Sequence, residues 1–386
     1  MSIKNLHRYT NKKTCKSKLS RKLSKKIPII FVKPYYTDEF LKNKEGHYFS
    51  DKHFNKIIQS DCDVYINDDN SKHPKKCPNK LLFKFRKNVI PKKTCVKAFH
   101  SMYQASQKKN RNRGAASGII NVNKLPKYAK NVSHVDKYRV FYKNKFGTKK
   151  KDNIGNTAMS NIIGYYDKPD RNVISNKLVN GRIPKSKMCR TTAFTKNEID
   201  KWIDCLPIIM SADSQFKKLI PDKHKKQLYR CKKTPNYQIN NSAFSTITLN
   251  YNWRTASHID KGDYTDGFGN LLVLEKDKCH NNNNTNNYNA NVNNPINSYK
   301  GGYLGFPKYK IAVDVRQGDF LAMDVHQYHC NTPLKSILNN NNKINKLKIN
   351  TTKKKLRRMN KYSKIDDNHG RLSIVCYLRK NMIKCQ

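Results

Sequence analysis

Residues 245–264 read STITLNYNWRTASHIDKGDY, and this stretch decides how we interpret the chain. Ile247, Leu249 and Tyr251 alternate with polar residues, which predicts a strand with one buried face. His258 and Asp260 follow directly, two residues apart. Side chains at positions i and i+2 of an extended backbone point to the same side, so this spacing allows both residues to bind one metal ion.

The His-x-Asp spacing is weak evidence when it stands alone. With 12 His and 27 Asp plus Glu in 386 residues, a pair of this kind is expected by chance. A second copy, His134-Val135-Asp136, does occur. No matching His and Arg follow that copy in strand order, so we interpret it as structural.

Further short strands are predicted after the first one. They are separated by Gly-rich or polar turns, and this succession is typical of a β-sandwich or jelly roll. The predicted strands are NLLVLE (270–275), YLGF (303–306), KIAVDV (310–315), DFLAMDV (319–325) and RLSIVCYL (371–378).

Two polar segments interrupt these strands. Residues 279–298 are rich in Asn, and residues 337–364 are rich in Asn and Lys, so neither can bury a core face. Residues 1–26 form a basic arm without acidic residues, which we expect to be disordered. We leave residues 27–95 unassigned and predict one folded domain over 96–386, with a jelly-roll core from about residue 236. The predicted fold class is α+β, a double-stranded β-helix with helical support on its N-terminal side.

That helical support includes FTKNEIDKWIDCL, residues 194–206. Thr195 and Glu198 have the spacing of a capping box, and Phe194 and Ile199 that of a hydrophobic staple. We therefore expect a helix that begins at Thr195 and ends before Pro207.

The composition favours an anionic partner and an intracellular protein. The net charge of +52 attracts polyanions, above all nucleic acid. Lys, Asn, Ile and Tyr also have AT-rich codons, so genome composition can account for part of this charge. The 11 Cys include no Cys-x-x-Cys pair, which favours free thiols in a reducing compartment, the cytoplasm or the nucleus. We find no secretory signal and no apolar run that could span a membrane.

A jelly-roll oxygenase needs a third metal ligand and a cation for its 2-oxo acid. Two histidines and one carboxylate on one side of iron leave positions open for a 2-oxo acid and O₂. GDFLAMDVHQYHCNTP supplies two candidates after a strand, His326 and His329. In the last strand Arg371 and Ser373 share a face, and a forked guanidinium suits the distal carboxylate of 2-oxoglutarate.

Together these motifs resemble the Tet/JBP family of iron(II)- and 2-oxoglutarate-dependent dioxygenases. The resemblance rests on His258-x-Asp260, on GGYLGFPKYKIAVDVRQGDFLAMDVHQYHCNTP (301–333) and on RLSIVCYLR (371–379). It implies that His258, Asp260 and His329 bind iron, because the family's distal His precedes a small residue and Asn, as in His329-Cys330-Asn331. It also implies Arg371 and Ser373 at 2-oxoglutarate, O₂ as the oxidant and a 5-methyl group of thymine or 5-methylcytosine in nucleic acid, in particular DNA, as the target.

Other readings of the sequence remain open. The same chemistry suits a protein prolyl or lysyl hydroxylase, and a basic protein with an inactive barrel would bind nucleic acid without catalysis. An AlkB-like repair enzyme is disfavoured, because Arg371 and Arg379 do not have the spacing of its two arginines. Near the metal pair, His326 and Arg254 are candidates for supporting roles. For Asp263, Tyr264 and Asp266 a solvated turn is favoured, and the lining of a substrate mouth is the alternative. The oligomeric state is not indicated.

Overall fold

The computed structural model describes residues 26–67, 80–110, 113–120, 132–143, 149–152, 158–168, 189–276, 299–336 and 370–385. The basic arm up to residue 25 and the greater part of both polar interruptions lie outside these residues.

The described residues contain nineteen strands and five α-helices. The strands are β1 (Ile29–Val32), β2 (Lys56–Ile58), β3 (Cys62–Ile66), β4 (Lys80–Arg86), β5 (Lys109–Asn110), β6 (Val132–Asp136), β7 (Arg139–Lys143), β8 (Lys149–Asp152), β9 (Ala158–Tyr166), β10 (Arg190–Thr191), β11 (Thr246–Tyr251), β12 (Gly269–Glu275), β13 (Tyr299–Gly301), β14 (Leu304–Phe306), β15 (Ile311–Val313), β16 (Phe320–Met323), β17 (Cys330–Asn331), β18 (Leu334–Ser336) and β19 (Arg371–Tyr377). The helices are α1 (Asp38–Asn43), α2 (Lys92–Ser106), α3 (Ala193–Asn197), α4 (Ile199–Leu219) and α5 (Pro221–Lys232).

One large sheet carries most of the molecule. Its order is β1-β3-β4-β16-β12-β19-β11-β9-β10, with β5 paired to β9. The central strand β12 is buried along its whole length, because both faces of the sheet are covered. Leu272 and Leu274 pack on the helical side, together with Ile208 and Phe216 of α4.

A smaller sheet covers the other face of the large one. Its order is β17-β14-β15-β2, and β13 and β18 form a separate pair beside it. Leu271 and Val273 of β12 point into the layer between the sheets, where they join Phe306 and Val313. This two-sheet architecture confirms the predicted α+β jelly roll. All six strands predicted from the sequence between residues 245 and 378 are present, with shifted ends.

The segment left unassigned by the sequence contributes to both sheets. β4 pairs with β16 in the large sheet, and β2 pairs in parallel with β15 in the small sheet. The N-terminal residues therefore complete the two layers that surround the candidate site.

The helix predicted from Thr195 to before Pro207 is wrong at both ends. Thr195 lies inside the short α3, and its hydroxyl accepts a hydrogen bond from the Gly164 backbone N–H instead of capping a helix. α4 begins at Ile199 and continues through Pro207 to Leu219. Proline removes one helical hydrogen bond, but the apolar face that follows it is buried against the sheet, and this packing outweighs the local signal.

The expectation of free thiols is also wrong for one pair. Cys189 and Cys385 form a disulfide, although 196 positions separate them in the sequence. Six further cysteines in the described part of the chain are free and buried. Among the described helices, none combines the length and the apolar character that crossing a membrane requires.

Candidate active site

The two candidate histidine ligands are joined through their own backbones. The His258 N–H donates to the His329 carbonyl at 3.0 Å, and the His329 N–H donates to the His258 carbonyl at 2.9 Å. The Asp260 N–H donates to the Val325 carbonyl at 3.1 Å. The segment after β11 is thereby held alongside the segment after β16, and the three side chains lie together.

Both imidazole rings are oriented by backbone carbonyls. Nδ1 of His258 lies 2.8 Å from the Ala256 carbonyl, and Nδ1 of His329 lies 2.9 Å from the Gln327 carbonyl. A carbonyl oxygen can only accept, so each Nδ1 carries the proton and each Nε2 keeps its lone pair. Both Nε2 atoms are therefore available to a metal ion.

The donor atoms of His258, Asp260 and His329 lie close enough for one ion to contact all three. Nε2 of His258 is 3.7 Å from Asp260 Oδ1, and Nε2 of His329 is 3.6 Å from Asp260 Oδ2. All the donor atoms lie within 4.8 Å of one another. Burial, together with the nearby His329, lowers the pKa of His258 to about 4. The imidazole of His258 is therefore neutral at pH 7, which is the form that binds metals.

The cluster opens into a cavity of about 1030 Å³. Its wall includes residues from the large sheet, namely Thr248, Asn250, Leu271, Ser373, Val375 and Tyr377. The lining also includes several Lys and Arg residues, and the polar residues Thr255 and Asn331. The cavity is large enough to hold more than one small molecule.

Strand β19 presents the predicted alternation of side chains. Ser373, Val375 and Tyr377 face the cavity, whereas Leu372, Ile374 and Cys376 belong to the core on the helical side. Arg371 begins the same inward-facing row but is not among the residues that line the cavity. It is 2% exposed, and its Nε has no hydrogen-bond partner among the described residues.

Arg371 lies beside a buried acidic group. Glu275, in β12, is paired directly with Arg371 across the two neighbouring strands. The Glu275 carboxylate accepts a hydrogen bond from the Tyr299 hydroxyl at 2.8 Å. Burial raises the pKa of Glu275, and the charges of Arg316 and Arg371 partly offset this rise. The orphaned Nε of Arg371 is suited to an additional anionic group.

Asp263 was expected in a solvated turn, but it is buried in the cavity wall. It forms an isolated β-bridge with Arg379, just beyond β19. Burial, followed by the nearby charge of Asp260, raises the pKa of Asp263 well above its ordinary value, and Arg379 opposes this rise. The expectation of a solvated turn overlooked this pairing, because it involves residues far apart in the chain.

Arg113 is a further cavity residue that sequence analysis did not single out. Its Nε and Nη2 are buried and have no hydrogen-bond partner among the described residues. Burial lowers its pKa, an effect that the charges of Tyr377, Tyr166 and Asp260 partly offset. Arg113 leads into a turn whose Ala116 carbonyl accepts a hydrogen bond from the Ala256 N–H at 2.9 Å. This contact fixes Arg113 next to the metal-binding segment.

Arg254 and His326, the other two candidates from the sequence, contact backbone carbonyls near the cluster. Arg254 donates to the carbonyls of Phe49 and Asn331 at 2.8 and 3.2 Å. It thereby ties the N-terminal segment to the segment of His329. His326 lies 3.2 Å through its Nε2 from the Tyr264 carbonyl and is not part of the cluster.

The second His-x-Asp pair lies elsewhere in the fold. The backbone of His134 and Asp136 belongs to β6, in a three-stranded sheet with β7 and β8. Their side chains lie outside the described part of the structure.

Two histidines and one carboxylate beside an open cavity on a jelly roll define the class of non-haem iron(II) oxygenases. The comparison with known families agrees with this class. Residues 176–380, more than half of the chain, match the Tet/JBP family, described as the oxygenase domain of the 2OGFeDO superfamily. The chain belongs to this family, and with it to the 2-oxoglutarate- and iron(II)-dependent dioxygenases.

Curated relatives come from trypanosomatids. Thymine dioxygenase JBP1 of Trypanosoma brucei brucei is 30% identical over 154 residues, which are 40% of this chain and 16% of that protein. The bifunctional helicase and thymine dioxygenase JBP2 of the same organism (strain 927/4 GUTat10.1) is 31% identical over 172 residues, 44% of this chain and 13% of that protein. The matched part is therefore about a sixth of these relatives or less.

A solved structure titled "NgTET1 in complex with 5mC DNA in space group P3221" is also similar. Its TM-score is 0.41 at 12% identity, and the match covers 90% of this chain and 92% of that one.

Proposed function

We propose that the protein is an iron(II)- and 2-oxoglutarate-dependent dioxygenase that hydroxylates the 5-methyl group of thymine or 5-methylcytosine in DNA. The observation that carries this proposal is the His258, Asp260 and His329 cluster at the base of a cavity with a basic mouth. The thymine dioxygenase relatives support a methylated pyrimidine as the target.

Each candidate residue has a distinct role in this proposal. His258, Asp260 and His329 hold iron(II) through two imidazole Nε2 atoms and a carboxylate. Arg371 pairs with the distal carboxylate of 2-oxoglutarate, and Ser373 contacts the same co-substrate from the cavity wall. The bound iron, with 2-oxoglutarate and O₂, supplies the oxidising power, and succinate and CO₂ are the by-products.

The protein contributes orientation and a dry environment. The backbone bonds of His258 and His329 to each other keep the metal ligands in register. Leu271, Leu304 and Val375 form apolar parts of the wall and exclude water from the reacting methyl group. Tyr377 offers a ring in the same wall against which a pyrimidine can stack.

The cluster belongs to the lining of a cavity, so a target base in a duplex has to leave the stack to reach it. Extruding the nucleotide costs a few kcal/mol. The net charge of +52 favours the binding of DNA phosphates, which offsets this cost in a salt-dependent way. A nuclear or cytoplasmic protein would meet such a substrate.

The test is mass spectrometry of nucleosides. The protein, iron(II) and 2-oxoglutarate are incubated under air with thymine-rich or 5-methylcytosine-containing DNA, or with Pro- and Lys-containing peptides. We expect hydroxymethyl nucleosides from one of the DNAs, and none with His329→Ala. The variant His326→Ala is the matched control and should remain active. Hydroxylation of peptides alone would favour a protein hydroxylase and overturn the proposed substrate.

A further inference from the structure

Arg113 lines the cavity, and the Asp260 carboxylate is one of its electrostatic neighbours. Two of its three guanidinium nitrogens, Nε and Nη2, are buried without a hydrogen-bond partner in the described part of the chain. Leaving a buried guanidinium nitrogen unpaired is costly, so such a group is expected where a ligand completes its hydrogen bonds. Guanidinium forks pair best with carboxylates and phosphates, so the missing partner is an anion.

The structure holds the segment of Arg113 in place rather than leaving it free to move away. Tyr48 donates its hydroxyl hydrogen bond to the Ser117 carbonyl at 3.0 Å. Gly118, at φ +83°, lies so close to Tyr48 that a Cβ would come within 2.8 Å of the ring. The turn that follows Arg113 is thus locked between Tyr48 and the metal-binding segment.

Further cations continue from Arg113 toward the cavity mouth. They gather around one aromatic ring, that of Tyr166. The Lys168 Nζ lies 5.8 Å from the ring centroid, and the guanidinium carbons of Arg190 and Arg379 lie at 5.7 and 5.0 Å. Tyr166 is one of the electrostatic neighbours of Arg113. We call Tyr166, Lys168 and Arg190 the basic rim; all three line the cavity.

One of these cations is already neutralised. Arg379 forms an ion pair with Asp167, whose carboxylate lies 2.5 Å from its Nε. Asp167 is buried, whereas Lys168 is exposed at the mouth. Arg113 and Lys168 therefore contribute positive charge to the cavity lining beside the Arg379–Asp167 ion pair.

The anion for Arg113 is not the distal carboxylate of 2-oxoglutarate. Arg113 is grouped with Tyr377, at the end of β19 opposite Arg371. At about 3.3 Å per residue, the six steps along β19 from Arg371 to Tyr377 span about 20 Å. A five-carbon dicarboxylate is too short to reach from Arg371 to Arg113 once it is bound between Arg371 and the metal cluster.

We infer that Arg113 binds a backbone phosphate of the nucleotide whose base occupies the cavity, and that the basic rim binds the adjoining phosphate at the mouth. This inference rests on the proposed function. A nucleic acid strand is the ligand that presents anions at regular spacing on both sides of a base. The cations grouped around Tyr166 suit one strand of DNA whose extruded nucleotide enters the cavity.

The experiment measures DNA binding over a series of salt concentrations. Fluorescently labelled short duplexes that contain thymine or 5-methylcytosine are titrated with the wild type, Arg113→Met, Arg113→Lys and Arg190→Met. Lys226→Met, on the exposed surface of α5, is the matched control for loss of one positive charge. The same proteins are titrated anaerobically with 2-oxoglutarate in the presence of iron(II), and their Tm values are recorded.

We expect Arg113→Met to weaken duplex binding at least tenfold. The slope of log K against log salt should fall in magnitude by about 0.7 to 0.9, the value for one lost phosphate contact. Arg113→Lys should restore part of the affinity because it keeps the charge. Affinity for 2-oxoglutarate should not change. The Tm should not fall, because the variant removes an unpaired buried charge.

Two results would overturn the inference. A loss of 2-oxoglutarate affinity with an unchanged salt slope would make Arg113 part of the co-substrate site. A fall in Tm without any change in the salt slope would make it a structural residue. The proposed function is tested by a different measurement. If it fails, the wild type forms no hydroxymethyl nucleosides, and this result does not depend on the salt slopes of the variants.

Discussion

His258 and His329 bind each other's backbone in both directions, with N···O distances of 3.0 and 2.9 Å. Each residue follows a different strand, so this reciprocal pair is the point at which two distant parts of the sequence are brought into register. The geometry of the candidate metal site therefore depends on main-chain atoms that any residue would supply. Substitution of either side chain should remove a ligand without disturbing the register.

The first prediction concerns metal content. His258→Ala and His329→Ala should each bind iron(II) at least tenfold more weakly, because a site with two ligands holds a divalent ion poorly. Metal content after dialysis, measured by atomic emission, checks this. His326→Ala is the matched control, since His326 contacts the Tyr264 carbonyl and not the cluster. Equal metal loss in the control would contradict the assignment of His329 over His326.

The second prediction concerns the pH dependence of the metal-free protein. The folded-state pKa of His258 is lowered to about 4, below the ordinary value of 6.5, so the folded protein keeps this ring neutral while the unfolded chain takes up a proton. The stabilising contribution is fully present above pH 6.5 and is lost as the pH falls toward 4. Its size is roughly 3 kcal/mol, from about 1.4 kcal/mol per pH unit.

Urea unfolding at several pH values would measure this effect. The free energy of unfolding of His258→Asn should fall less between pH 6.5 and 4 than that of the wild type. Lys226→Met, at an exposed position, should follow the wild type. Identical pH profiles for His258→Asn and the wild type would show that His258 does not carry the lowered pKa.

The third prediction concerns the co-substrate. Arg371→Met should weaken 2-oxoglutarate binding roughly 10- to 150-fold, the equivalent of about 1.5–3 kcal/mol for a hydrogen bond to a charged group. Arg371→Lys should recover part of the loss, because a lysine keeps the charge but lacks the fork. Anaerobic titration of the iron-loaded protein, followed through the visible charge-transfer band, provides the affinity. Lys335→Met, which removes an exposed ion pair with Asp51, should bind 2-oxoglutarate like the wild type.

The fourth prediction concerns the extent of the folded unit. We propose that this unit begins near Ile29 and not at residue 96, because β2 and β4 belong to the two sheets of the core. A chain that begins at residue 96 should lack the cooperative unfolding transition of the whole protein. A chain that begins at Lys26 should keep it. Far-UV circular dichroism during heating distinguishes them, and cooperative unfolding of the shorter chain would refute the proposed boundary.

Local patterns predicted much of this fold. β11 was recognisable because its apolar positions alternate with polar ones, and β19 because it is a short run of mostly apolar residues. α4 was misjudged because Pro207 is a strong local stop, whereas the packing of Phe216 against the sheet is a tertiary effect. The Cys189–Cys385 pair joins residues that are 196 positions apart in the sequence, which no local signal reports.

The sequence predicted some residues of the candidate site and missed others. His258 and Asp260 share a local motif, and both His326 and His329 follow a recognisable strand. The choice of His329 came from the resemblance to the family and not from the strand pattern. Arg113 was not predicted, because its segment has no periodic pattern and is held at the cavity by distant residues, Ala256 and Tyr48. Asp263 was misjudged for a related reason, since the strand continuation that buries it comes from the far end of the chain.

The central position of β12 also bears on how this chain can change over evolutionary time. The Asn-rich part of the sequence connects β12, which ends at Glu275, to β13, which begins at Tyr299, and both strands belong to sheets. Closing a longer loop between fixed ends adds only about 0.6 kcal/mol for each doubling of its length. Insertions can therefore accumulate there at little thermodynamic expense, and His258, Asp260 and His329 need not move. The fold tolerates drift in length between its ligands because their register is set by the sheets and not by the number of residues that connect them.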